Sequence, residues 1–176
     1  QPAAALDTFQ PLWRETLAVE TPGALSVIEP ACGSANDYRF LESYGFARRL
    51  DYRGVDLSAK NIGNARALFP DARFDVGNAF ALDAADAAFD VAFVHDLFEH
   101  LSPQGLTAAL DEICRVTRVG LCLHFFNMDE IPDPIIRPVD EYHWNMLSLA
   151  RIQERLARNG FTGQAFHIGP FLRWRV

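Results

Sequence analysis

Cysteine, lysine and long apolar runs are scarce in this sequence, and each shortage excludes something. Three cysteines occur, Cys32, Cys114 and Cys122. The number is odd and no Cys-x-x-Cys pair exists, so neither a disulfide framework nor a zinc site is expected. A reducing, cytoplasmic setting fits such usage best. Lys60 is the only lysine and the other cations are arginines, a bias of the genome more than of function. No Ser-His-Asp order and no Schiff-base lysine stands out. No apolar stretch approaches the ~20 residues that cross a membrane, and no basic-then-apolar leader opens the chain. The chain begins at Gln1 without a methionine, so further residues upstream are expected. Cations are outnumbered as well. The formal net charge is −7, which opposes a partner made of phosphates. No nucleic acid and no membrane is expected as a partner, although Arg173 and Arg175 leave a local basic patch. Oligomeric state is not readable.

What is present suffices for one domain. The 176 residues are 49% hydrophobic, enough for a single core and too few for two. Phe9, Leu12, Trp13 and Leu17 share one face of an N-terminal helix within residues 1–22. Residues 24–29 form a short apolar run suited to a buried parallel strand. Residues 36–49 read as a helix, 52–56 as a second strand, and 58–68 as a helix opened by Ser58. Residues 72–75 make a weak third strand. Residues 89–95 are β-branched or aromatic and apolar on both faces, the clearest strand of all. Residues 103–117 follow as an amphipathic helix with Pro103 near its start. Residues 119–126 read as another buried strand. Residues 127–144 read as irregular, and 148–159 as a helix closed by Gly160. Two apolar stretches around Gly169-Pro170 complete an antiparallel pair.

Repeated strand–helix units predict an α/β fold, doubly wound and Rossmann-like, with helices on both faces of a mostly parallel sheet. About seven strands are expected, the last two as a C-terminal antiparallel hairpin. Ligands of such sheets sit at the carboxyl ends of the strands, near the switch in strand order. Three turns converge there. Glu29-Pro30-Ala31-Cys32-Gly33-Ser34-Ala35 is small enough for a ligand to approach the backbone, and it runs into a helix N-terminus. Gly54-Val55-Asp56-Leu57-Ser58 places an acid where ribose hydroxyls can donate to it. Gly77-Asn78-Ala79-Phe80 offers an amide and a backbone N–H to an adenine edge.

These segments resemble the motifs of class I S-adenosylmethionine-dependent methyltransferases. Val27 to Ala35 resembles the first motif, an acid at a strand end followed by a glycine-rich loop. Tyr52 to Ser58 resembles the second, with its ribose-binding acid, and Gly77-Asn78-Ala79 the third. Phe89-Asp90-Val91 running into Leu97-Phe98-Glu99-His100-Leu101 resembles the fourth, and Asn159-Gly160-Phe161 the end of the last helix. The resemblance implies one methyltransferase-like domain over residues 1–176, with S-adenosylmethionine as cofactor. It assigns Glu29, Ala31, Cys32, Gly33 and Ala35 to the methionine end, Asp56 and Leu57 to the ribose, and Asn78 and Ala79 to the adenine. Ala31 and Ala35 stand where glycines are common, so their methyls narrow the methionine space. Asn78 replaces an aspartate, and its carbonyl can still accept from the adenine amino group.

His95 and Asp96 follow the fourth strand and should face the methyl-transfer site. His95 is the candidate base or substrate contact, and also borders the cofactor. Asp96, Phe126 and His143 are candidate substrate contacts, with residues 127–147 as a covering segment. His100 reads as structural and His124 as a packed strand histidine. The expected reaction is methyl transfer to a small-molecule acceptor, with the O, N or C atom left open. A non-catalytic binding domain of the same fold is the alternative. A nicotinamide-dependent oxidoreductase is a weaker one, because its phosphate loop needs Gly-x-Gly-x-x-Gly and this loop has a single glycine.

Overall fold

The computed structural model describes residues 23–165. The expected N-terminal helix lies outside these residues, as do Gly169-Pro170 and most of the expected closing hairpin. Five strands, all parallel, form the central sheet: β1 Leu25–Pro30, β2 Leu50–Asp56, β3 Arg73–Val76, β4 Phe89–His95 and β5 Thr117–His124. Their spatial order is β3-β2-β1-β4-β5. The order reverses between β1 and β4, which makes that gap the topological switch point. Four α-helices connect or follow the strands: α1 Asn36–Ser43, α2 Ala59–Leu68, α3 Pro103–Val116 and α4 Leu149–Arg158. Among the described residues no helix is long and apolar enough to cross a membrane.

The core splits by strand parity, because successive side chains leave a strand on opposite faces. Val27, Tyr52, Phe74 and Phe93 meet Leu41 of α1 and Ile62 of α2 on one face. Ile28, Val55 and Val94 meet Leu110 and Ile113 of α3 and Ile152 of α4 on the other. A sheet covered on both faces needs apolar residues at consecutive positions, which is why β1 and β4 read as continuous apolar runs. Gly54 of β2 has no room for a side chain: a Cβ there would stand 2.6 Å from Phe74 and 2.9 Å from Cys32.

Three expectations need correction. The helix over 36–49 stops at Ser43, because Gly45 turns the chain through a left-handed conformation (φ 72°) before the short 3-10 turn Ala47–Arg49. The strand expected at 119–126 is β5, two residues earlier, and it is only half-buried, since among the described residues it pairs with β4 alone. The segment after it is not irregular throughout. It carries four two-residue strands: β6 Met128–Asp129, β7 Pro138–Val139, β8 Tyr142–His143 and β9 Leu147–Ser148. β6 pairs with β9 in parallel and β7 with β8 antiparallel. Within the described residues the sheet has five of the expected strands.

Candidate functional site

The three turns singled out in the sequence meet at the carboxyl edge of the sheet, and Asp56 ties them together. Its Oδ2 accepts a hydrogen bond from the Gly33 N–H at 2.9 Å. Its backbone carbonyl accepts from the Gly77 N–H at 3.0 Å. Its Oδ1 accepts from the Ser58 N–H at 2.8 Å and the Asn61 amide at 3.2 Å. Leu57, beside it, is exposed. In the third turn Asn78 Oδ1 accepts from the Phe80 N–H at 2.9 Å. One lone pair of that carbonyl remains for a ligand, and Ala79 lies at the crest of the same turn.

The first turn is held in a strained shape. Ala31 and Ala35 both adopt left-handed backbone, at φ 61° and 66°. Such a conformation costs a non-glycine residue roughly 1–2 kcal/mol. The turn needs glycine-like geometry although it lacks glycine at these two positions. Cys32 turns inward: its side chain is buried in the core and its N–H bonds the Val55 carbonyl at 3.1 Å. Burial first, and the nearby Glu29 carboxyl second, push its thiol far up, which disfavours the thiolate.

Glu29 is buried beneath this turn and accepts from the Tyr52 hydroxyl at 2.5 Å. Burial, then the adjacent Asp37 carboxylate, raise its pKa well above the usual carboxylate range. Asp37 opens α1 and reaches across the switch point to His95, its Oδ1 standing 2.9 Å from His95 Nδ1. Burial disfavours a charged His95, but the Asp37 hydrogen bond, then the charges of Asp37 and Asp96, outweigh it and raise the pKa.

A cluster of polar side chains is built from the ends of β4 and β5. His95 and His124 are register partners on these strands, so their rings point the same way and meet edge to face at 4.1 Å. Asp96 follows with a left-handed backbone (φ 51°). It stands 2.8 Å from His124 Nδ1 and 3.5 Å from His95 Nε2. Burial and the charge of His95 depress the pKa of His124. His124 is thus not the packed strand histidine expected, but part of a polar cluster at the site.

Beyond it lies an aromatic wall. Phe126 and Trp144, 40% and 45% exposed, have ring centroids 4.9 Å apart, and His100 lies against both. His143 contributes its carbonyl, 3.2 Å from His100 Nδ1, which agrees with a structural His100. Buried Glu99 anchors this wall by accepting from the N–H groups of Phe126 and Asn127 at 2.7 and 3.3 Å. Buried Asn145 adds a bond to the Leu101 carbonyl at 2.8 Å.

Residues 27–120 match the family described as "Methyltransferase domain". The chain belongs to the class I S-adenosylmethionine-dependent methyltransferases. The cofactor of these methyltransferases is S-adenosylmethionine, and the site suits it. Asp56 sits where the three turns meet, and the first turn feeds the N-terminus of α1. No curated protein matches the chain. Solved structures do. A protein from Pyrococcus horikoshii is 22% identical, with a TM-score of 0.66 over 88% of this chain and 80% of its own. A SAM-dependent methyltransferase from Methanosarcina mazei is 17% identical, with a TM-score of 0.69 over 86% of each chain. The 1,6-didemethyltoxoflavin-N1-methyltransferase of Burkholderia thailandensis, solved with that compound and S-adenosylhomocysteine, is 18% identical. Its TM-score is 0.70 over 93% of this chain and 69% of its own. At these identities the likeness is one of fold.

Two residues of the cluster escaped the sequence reading. Asp37 looks like an ordinary helix-opening acid, favoured there by the helix dipole. His124 becomes visible only once the β4–β5 register is known.

Proposed function

We propose that this protein transfers the methyl group of S-adenosylmethionine to a small acceptor bound at the ends of β4 and β5. The observation that carries the reading is the junction at Asp56, which joins the turns around Gly33 and Gly77 into one cradle. In it Asp56 and Leu57 hold the ribose, Asn78 and Ala79 read the adenine, and Glu29, Ala31, Cys32, Gly33 and Ala35 form the methionine end. The cofactor supplies a methyl group already activated by its positive sulfur. The protein then has to align the acceptor and exclude water. His95 borders the methyl and contacts the acceptor, held in place by Asp37 through Nδ1. An acceptor hydroxyl loses a proton on methylation, and an imidazole at this place suits its removal. Asp96 and the exposed ring of Phe126 contact the acceptor, and residues 127–147, including His143, cover it. The small heterocycle bound by the Burkholderia relative is in keeping with a small acceptor here.

Calorimetric titration with S-adenosylhomocysteine tests the reading. Saturable binding is expected. Asp56→Ala should weaken it at least about tenfold, the size of one lost charge-assisted hydrogen-bond pair. Asp56→Asn keeps one acceptor for the Gly33 N–H and serves if the alanine variant is unfolded. Well-folded parent protein that ignores millimolar ligand would refute the assignment.

A further inference from the structure

We propose that His95, Asp96 and His124 bind a divalent transition-metal ion at the acceptor end of the site. The inference rests on the methyltransferase reading only for what the ion is for, not for whether it binds. Among the described residues these three offer ligand atoms that all lie within 4.8 Å of one another. Two donors on one tetrahedral ion, with bonds of about 2.0–2.1 Å, stand roughly 3.4 Å apart. The observed contacts bracket that value, one on each carboxylate oxygen: Asp96 Oδ1 stands 2.8 Å from His124 Nδ1 and Oδ2 stands 3.5 Å from His95 Nε2.

The backbone prepares the set. The β4–β5 register places the two imidazoles side by side. A bond from the Asp96 N–H to the His124 carbonyl, at 3.4 Å, holds the two strand ends together. The left-handed turn at Asp96 returns its carboxylate to the imidazole pair. Behind the set, the Asp37 carboxylate holds His95 Nδ1 and directs Nε2 forward. A carboxylate behind a histidine ligand is the recurrent support of metal-bound imidazoles. Two imidazoles and one carboxylate select zinc, iron, cobalt or nickel over magnesium or calcium, which prefer all-oxygen sites. Catalytic sites of this kind use three protein ligands and leave a position for water or substrate. Such an ion would act as a Lewis acid toward an acceptor oxygen; with it bound, His95 Nε2 is a ligand, and the ion rather than the imidazole eases loss of the hydroxyl proton, which narrows the acceptor class to hydroxyl compounds. The Phe126–Trp144 wall beside it offers ring faces to a planar acceptor.

The test is titration of tag-free full-chain protein with Zn²⁺ by calorimetry and with Co²⁺ by visible absorption. One equivalent should bind, with Co²⁺ giving the intense d–d bands of a low-coordinate site. His95→Ala and His124→Ala should each weaken binding at least about tenfold, and Asp37→Asn by about 10–100-fold. Asp96→Gly is the variant that protects against misfolding, because glycine relieves the left-handed backbone at that position. It should fold as well as the parent and lose the ion. Absence of saturable binding overturns the proposal, and so does binding that survives both Asp96→Gly and His124→Ala. Parallel titration with S-adenosylhomocysteine separates the two readings. Nucleoside binding without metal binding sinks only the ion, and the reverse sinks only the cofactor assignment.

Discussion

Ala31 and Ala35 share one backbone conformation, yet substitutions there should have different effects. Ala31 is only half-buried, whereas Ala35 is fully buried in the core under α1. Glycine at either position removes the left-handed penalty of roughly 1–2 kcal/mol and adds about 0.4–1 kcal/mol of unfolded-chain entropy. Ala31→Gly should therefore stabilise the protein by about 0.5–1 kcal/mol in urea unfolding. At Ala35 the lost methyl also forfeits about 0.8 kcal/mol of burial, so Ala35→Gly should be close to neutral. A destabilised Ala31→Gly would mean that the turn is not strained. The alanines were legible in the sequence as departures from a glycine pattern. That they sit in glycine geometry was not, since φ is set by where the turn must lead.

At the scale of the element, caps decide where helices begin. Ser58, Ser102 and Ser148 each accept from the N–H three residues on, at 3.3, 3.1 and 3.3 Å. Ser148 does more than cap α4. Its hydroxyl is buried and donates to the Ile131 carbonyl at 2.5 Å, fastening the 127–147 segment to the helix. Ser148→Ala should cost about 1–2 kcal/mol, one cap plus one stranded buried carbonyl. Ser102→Ala, which loses the cap alone, should cost about 1 kcal/mol. Equal losses on chemical denaturation would show that the Ile131 bond contributes nothing. Helix starts could be read locally because a cap is a local signal. The β6–β9 pair could not, because it joins positions 19 residues apart in the chain, and strands of two residues such as β7 and β8 are too short to show a periodic pattern.

For the whole molecule, the buried acid at the heart of the site shapes how stability depends on pH. Glu29 has a folded pKa above its ordinary value of 4.5, through burial first and Asp37 second. The folded state therefore holds its proton where the unfolded state has released it. Stability should fall as pH rises from about 4.5 toward the folded pKa, with a slope of at most about 1.4 kcal/mol per pH unit from this group. Glu29→Gln keeps an acceptor for the Tyr52 hydroxyl and removes the charge. Its cofactor-free unfolding free energy, measured from pH 5 to 8, should decline less steeply than that of the parent. A parallel decline would show that Glu29 is not the group responsible.

The sequence by itself determined the alternation of strands and helices, the parallel sheet, and the three turns that meet at Asp56. Each depends on local patterns: apolar runs, caps, and small residues next to an acid at a strand end. Only the tertiary structure decided the polar cluster at the ends of β4 and β5. Whether His95 meets Asp37, and whether His124 stands beside it, depends on strand order and register. These are settled by packing across the whole sheet, because a one-residue slip of β5 would turn His124 to the other face.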